Sequence, residues 1–256
     1  QTISGVTDGQ AKIKSALTIP SGYQLNDADN VPETYTFKAS GNDPITVKLD
    51  KINTVNPDPT RKDDQKDLFK TITRTITYTD PTTNKQVTVT QGVDFERSKK
   101  VNNTNGAVIS YGDWTLVDAK KSSWDAYTVP IFTDYTVSAK DDAGNSVDIR
   151  SGQIAGQTVT AQTANTHITL TYSETDAGKF KDKNKDNSQV QTILVTQNSD
   201  PTKINASDGI RNLPRYASVA FDNGVVIDTK TLGTTSYPAT ITFADNTTAK
   251  VEIPVK

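Results

Sequence analysis

A single histidine, His167, stands in a chain of 256 residues that has no cysteine and no methionine. Those absences decide most of the available chemistry. Thiol catalysis needs cysteine, and a zinc centre needs several cysteine, histidine or carboxylate ligands at one place. A Ser-His-Asp relay would have to pass through His167, and no Gly-x-Ser-x-Gly turn exists to present a nucleophile. His167 alternates with Ile168 and Leu170, which puts it on the threonine face of a strand, an exposed position. Asp182, Asn184 and Asp186 imitate the start of a calcium loop. Asn187 stands where that loop needs glycine, and Ile193 stands where it needs a bidentate glutamate. The chain therefore reads as non-catalytic, with no metal and no cofactor.

The remaining candidates bind or hold rather than react. Arg74 shares a strand face with Ile72, Ile76 and Tyr78, so its guanidinium must pair with a carboxylate or let its stem cover apolar surface while the head reaches solvent. Lys48 and Lys250 lie in strand patterns and are the conceivable donors for a lysine–asparagine crosslink, although no signature singles them out. Exposed aromatic rings can stack on the flat apolar face of a ligand, with polar side chains around them for hydrogen bonds. Tyr111, Trp124 and Tyr127 are the candidate binding residues on that count, and core packing competes for each.

These side chains need a scaffold, and its centre is Lys70 to Phe95. Thr71 to Tyr78 and Gln86 to Gln91 alternate strictly around Asp80-Pro81-Thr82-Thr83-Asn84. Period-two patterning with β-branched residues predicts a half-buried antiparallel hairpin, with Thr71, Thr73, Thr75 and Thr77 on its second face. Before it, Asp8 to Leu17 is the best helical candidate, with Asp8 as cap. Strand-like runs follow at Glu33 to Lys38 and Ile45 to Leu49. Residues 53–67 carry two prolines, many charges and one apolar residue, Val55, and read as a linker. Residues 176–187 read as a second charged linker. Beyond it, short strands at 191–196, 218–221, 225–227, 239–243 and 250–255, punctuated by Asp-Gly and Asp-Asn-Gly, suggest an Ig-like β-sandwich.

A formal net charge of −2 provides no basic face for nucleic acid, and no apolar run reaches the length of a membrane helix. Lack of both cysteine and methionine, with abundant Thr, Asn, Asp and Lys, fits a bacterial surface protein, and the start at Gln1 reads as a fragment of a longer secreted polypeptide.

Thr71-Ile72-Thr73-Arg74-Thr75-Ile76-Thr77-Tyr78, then Tyr111-Gly112-Asp113-Trp114 and Tyr127-Thr128-Val129-Pro130, resemble the mucin-binding (MucBP/Mub) repeat of Gram-positive adhesins. Tyr135 to Val137 and Ile168 to Tyr172 fall where that pattern has its closing strands; the family more often has Gly-Tyr where Asp134-Tyr135 stands. Residues 1–52 are similar to the β-grasp-like first half of such repeats. The tail resembles a Rib/alpha-like surface repeat through Asp208-Gly209-Ile210, Leu213-Pro214, Thr231-Leu232-Gly233 and Phe243-Ala244-Asp245-Asn246-Thr247.

The resemblance implies a mainly β, multi-domain chain arranged as an elongated rod: a β-grasp-like α+β unit at 1–52, a β-rich mucin-binding-type module at 68–175, and the sandwich at 188–256. It further implies an extracellular, monomeric adhesin segment, anchored to the cell wall through a C-terminal region outside this fragment. Host mucin glycoproteins or other extracellular-matrix glycans are the expected partners. A structural stalk, or recognition of a protein receptor such as immunoglobulin, is the alternative.

Overall fold

The computed structural model describes residues 1–26, 31–63 and 65–256. In chain order the strands are β1 (Gln10–Lys12), β2 (Tyr23–Leu25), β3 (Thr34–Thr36), β4 (Leu49–Val55), β5 (Phe69–Thr79), β6 (Gln86–Glu96), β7 (Lys99–Asn102), β8 (Val108–Tyr111) and β9 (Thr115–Leu116). They continue as β10 (Ser123–Trp124), β11 (Tyr127–Thr128), β12 (Tyr135–Asp141), β13 (Gln153–Ile154), β14 (Gln157–Thr158) and β15 (Thr166–Glu174). Helix α1 (Asp176–Lys183) follows, then β16 (Ser218–Phe221), β17 (Thr235–Thr242) and β18 (Thr248–Val255). The chain is mainly β with several sheets. It divides into two compact units, residues 1–73, 91–124 and 157–165, and residues 74–90, 125–156 and 166–256.

In the first unit β1 pairs antiparallel with β3, and β2-β4-β7-β8 form a four-stranded sheet. The last residues of β6 pair with β9, Phe95 opposite Leu116, and β10 pairs with β14. Its core is Ile72, Val93, Phe95, Trp124 and Val159. A buried carboxylate, Asp50, accepts from the side-chain amides of Asn102 at 2.6 Å and Asn26 at 2.8 Å, so its burial is matched by donors.

The helix expected over Asp8 to Leu17 does not form. Asp8 takes a positive φ of 65° in a turn, so it cannot cap a helix; β1 and a short 3-10 turn at Lys14–Ala16 occupy the segment. A ten-residue stretch repays helix nucleation poorly, and pairing with β3 satisfies the same backbone groups. The strand placed at Ile45 to Leu49 starts instead at Leu49 and runs on to Val55. That takes it into the supposed linker, and described residues further along it also make defined contacts. Asp58 caps a 3-10 turn through Thr60 N at 2.9 Å, and buried Gln65 accepts from Asp58 N at 2.8 Å. Arg61, Lys62, Asp63 and Lys66 are exposed, while Asp58 and Gln65 bond to nearby backbone groups.

In the second unit β15 lies between β12, antiparallel, and β5, parallel with Ile168 opposite Ile76. Ile76, Val129, Ala139, Ile154, Ile168 and Leu170 form one core. The hairpin faces expected from the alternation are realised: Ile72, Arg74 and Ile76 are buried, whereas Thr71 is exposed and Thr73, Thr75 and Thr77 are half-buried.

The regular part of the C-terminal region is one antiparallel sheet, β16-β17-β18. Tyr237, Ala239 and Ile241 of β17 and Ala249, Val251, Ile253 and Val255 of β18 share its buried face. Helix α1, a 3-10 turn carrying Ala206, and irregular segments carrying Ile193, Ile210 and Ile227 cover that face. The strand expected at Val225 to Ile227 is irregular chain. The largest correction is α1, which stands where a linker was expected at 176–187. Thr175 caps it by accepting from Gly178 N at 3.1 Å, and Ala177 and Phe180, three residues apart, enter the core. Six of its eight residues are not apolar, and that composition hid the helix.

Candidate functional site

The polar candidates are spent on structure. His167 Nδ1 lies 2.8 Å from Asp142 Oδ1, and its Nε2 lies 2.8 Å from Thr77 Oγ1. The order hydroxyl–imidazole–carboxylate is that of a hydrolase relay. However, Thr77 sits on β5 inside the sheet, where backbone N–H groups are committed to the ladder and cannot hold a developing oxyanion. The chain of bonds instead ties the parallel β5–β15 pair together. Asn184 Oδ1 accepts from Gln189 N, Asp186 Oδ1 accepts from Ser188 N, and Asp182 pairs with Lys185, so these oxygens shape the end of α1. Lys48 is exposed, and Lys250 donates to Asp222 and Thr240 at 2.7 Å each in a solvated ion pair. Arg74, 3% exposed, donates to the backbone oxygens of Ala155 and Asp125. Burial pulls its pKa down and the charge of Asp125 opposes that pull.

The three aromatic candidates have different fates. Trp124 is 1% exposed and its indole N–H donates to Ile72 O at 3.3 Å, so it has no free face for a ligand: it is core. Tyr127 is half-buried in the second unit, and burial, then Tyr78, raises its phenol pKa. It belongs to an aromatic cluster in which Tyr172 meets Phe132 edge-on at 4.8 Å and Tyr78 at 5.7 Å. Burial pushes the Tyr172 phenol up to about 12, with Tyr78, Tyr127 and Asp80 adding to it. A raised folded-state pKa contributes stability that is complete below the unfolded value near 10 and is lost as pH rises through the folded one. Alkaline titration is therefore expected to destabilise this cluster between about pH 10 and 12. Tyr172→Phe should flatten that part of the stability profile, followed by circular dichroism with tyrosinate absorbance.

Tyr111 alone opens onto a groove. It ends β8, is 43% exposed, and lines a first-unit cleft of about 620 Å³ with Arg97, Asp113, Trp114 and Gln162. Strand β6 ends at Glu96 and delivers Arg97, whose Nε donates to Asp67 O at 2.9 Å. The guanidinium carbon then lies 3.6 Å from the Tyr111 ring centre and 4.3 Å from that of Trp114. Lys70 Nζ sits 4.5 Å from the Trp114 ring and donates to Ala161 O. Cation–π attraction of this kind fixes the rings, leaving Tyr111 exposed and Trp114 half-buried against the core. Lys99, 2.9 Å from Asp67, holds that carboxyl below its usual range, with the Tyr111 hydroxyl adding a hydrogen bond. Gly112, between the rings, lies close against Ser98: a Cβ there would lie 2.8 Å from Ser98 Oγ.

The groove thus presents two rigid aromatic rings, cationic donors and the exposed polar side chains of Asp113 and Gln162. Arg97 carried no periodicity signal, because it lies just past a strand end. Trp114, three residues after Tyr111, was readable only as part of a motif.

Residues 63–176 match the model of the Muc B2-like domain, and residues 181–256 match that of the Rib domain. The chain therefore carries a mucin-binding-like domain followed by a Rib domain, domain types that support a surface-adhesin-type role. No curated protein matches it. Among solved structures, the mucin-binding domain of Spr1345 from Streptococcus pneumoniae is 27% identical, over 49% of this chain and 97% of that one, with a TM-score of 0.30. Mub-RV is 25% identical over 60% and 75%, with a TM-score of 0.34. The type 2 repeat of the mucus binding protein MUB from Lactobacillus reuteri is 21% identical over 60% and 76%, with a TM-score of 0.29. Such domains are non-catalytic in general and typical of extracellular surface proteins. Among the described residues no helix is long and apolar enough to cross a membrane.

Proposed function

We propose, for a chain built of a Muc B2-like domain followed by a Rib domain, that it binds mucin-type glycoproteins of a host surface through their glycans, and does so without catalysis. The Tyr111–Arg97–Trp114 stack in an open cleft carries this reading. A pyranose ring has an apolar C–H face that packs on an aromatic ring, and a rim of hydroxyls. Arginine, Asp113 and Gln162 supply donors and acceptors for that rim. Affinity per site is weak, and repetition along a parent polypeptide anchored to the cell wall makes it useful. The chain acts as a monomer.

The test is binding to immobilised mucin before and after enzymatic removal of its glycans. Tyr111→Ala and Trp114→Ala are each expected to weaken binding by roughly tenfold, the worth of one aromatic contact. Deglycosylation should abolish it. A protein receptor such as immunoglobulin is the second reading. It is favoured by β8, which lies at one end of its sheet with Val108 and Ile109 exposed, a suitable edge for strand addition. Binding that survives deglycosylation would select this reading. A segment that binds neither would be a spacer.

A further inference from the structure

The two family matches meet inside α1, the first ending at residue 176 and the second beginning at 181. Between them lie Ala177 to Phe180, all helical, and three of the four are buried. Strand β15 ends at Glu174, Thr175 caps α1 and Asp176 begins it, so no free residue separates the last strand of one domain from the first helix of the other. We infer that this is a rigid joint within the second unit: the Asp134 turn of the mucin-binding-like domain clasps α1 of the Rib domain, and the β12–β15 pair moves with the Rib domain as one body.

Both sides of the helix are held. Toward the Rib domain, Asp176 N donates to Asp245 Oδ2 at 2.8 Å and Ala177 N donates to Thr247 Oγ1 at 3.1 Å. Phe180 packs against Phe243 with ring centres 5.6 Å apart. Toward the other domain, Thr175 N donates to Asp134 O at 2.8 Å, and Lys181 Nζ lies 2.6 Å from Asp134 Oδ1. These contacts span seven residues of sequence, Thr175 to Lys181, and fix the first two turns of α1 to both neighbours at once.

Two backbone details show how closely the parts meet. A Cβ on Gly178 would lie 2.9 Å from Asp134 Cβ and 3.1 Å from Asp134 O, so the helix approaches the turn at a distance only glycine permits. Asp134 itself has a φ of 66°, a conformation in which glycine is the least strained residue. Aspartate tolerates that conformation better than most residues, and it adds what glycine lacks, a carboxylate for Lys181. The clasp converts a chain junction, ordinarily the place where domains hinge, into packed structure. Pulling on the Rib domain would then load the β12–β15 pair through this joint directly.

The absence of cysteine allows paired spin labels at two introduced cysteines without background. Lys140 on β12 and Glu252 on β18 are exposed and lie on opposite sides of the joint. In the otherwise unaltered 256-residue chain, pulsed dipolar spectroscopy should give one narrow distance distribution. Gly178→Val, which wedges the helix off the turn, should shift and widen it. Asp134→Gly, which relaxes the backbone and removes the ion pair, should widen it with both domains still folded by circular dichroism. A broad distribution in the unaltered chain would overturn the inference, and so would a narrow, unshifted one in both variants.

Discussion

Replacing Arg74 by alanine is expected to destabilise the second unit by about 3 kcal/mol, because it removes the buried guanidinium that holds the Ala155 and Asp125 carbonyls and leaves a cavity along the arginine stem. Arg74 is 3% exposed and donates to Ala155 O and Asp125 O, which lie 30 residues apart in sequence. One side chain thus pins two loop segments to β5. Arg74→Met separates the effects: it keeps most of the apolar stem and loses the hydrogen bonds and the charge facing Asp125, so it should recover part of the loss. Chemical denaturation of both variants checks this. If Arg74→Met were as stable as the parent chain, the guanidinium would be a tolerated passenger and its burial a matter of stem packing alone.

The second large effect belongs to Trp124. Truncation to alanine removes a fully buried indole from the core formed with Ile72, Val93, Phe95 and Val159, and is expected to cost about 3–5 kcal/mol. Trp124→Phe fills most of the space and loses the N–H bond to Ile72 O, so it should cost markedly less. The pair also separates structure from recognition. Trp124→Phe should bind mucin as the unaltered chain does, whereas Trp114→Ala, which removes a half-buried ring resting on the same core, should lose some stability and most of its binding while still folding. Thermal unfolding and mucin binding measured on the same samples decide it. Loss of binding in Trp124→Phe with unchanged stability would put Trp124 back among the contact residues.

The hairpin was legible because strand alternation has a period of two and needs no information from elsewhere in the chain. Ile72, Arg74 and Ile76 were assigned to the buried face and are buried. β16 to β18 were legible for the same reason, each close to its expected position. The charged stretches at 53–67 and 176–187 were not. Composition reports whether a segment can bury much surface, not whether a few well-placed residues suffice to anchor it. Phe180 and Ala177 fix α1, and Gln65 with Asp58 fixes the earlier segment through polar bonds that leave no hydrophobic trace.

The sequence by itself determined the mainly β character, the absence of thiol chemistry, the domain resemblances and the faces of the long strands. Each of these is a local or compositional property, written in residue type and spacing. Which aromatic ring meets solvent was decided only by the tertiary structure. Tyr111, Trp114, Trp124 and Tyr127 are alike in chemistry, yet one is core, one joins a tyrosine cluster and two line a groove around Arg97. Their roles depend on pairings distant in sequence, such as β6 with β9 and β10 with β14, and on a cation arriving from the end of another strand. Burial is a property of what the rest of the chain places over a residue, and period-two spacing fixes only the side from which that cover must come.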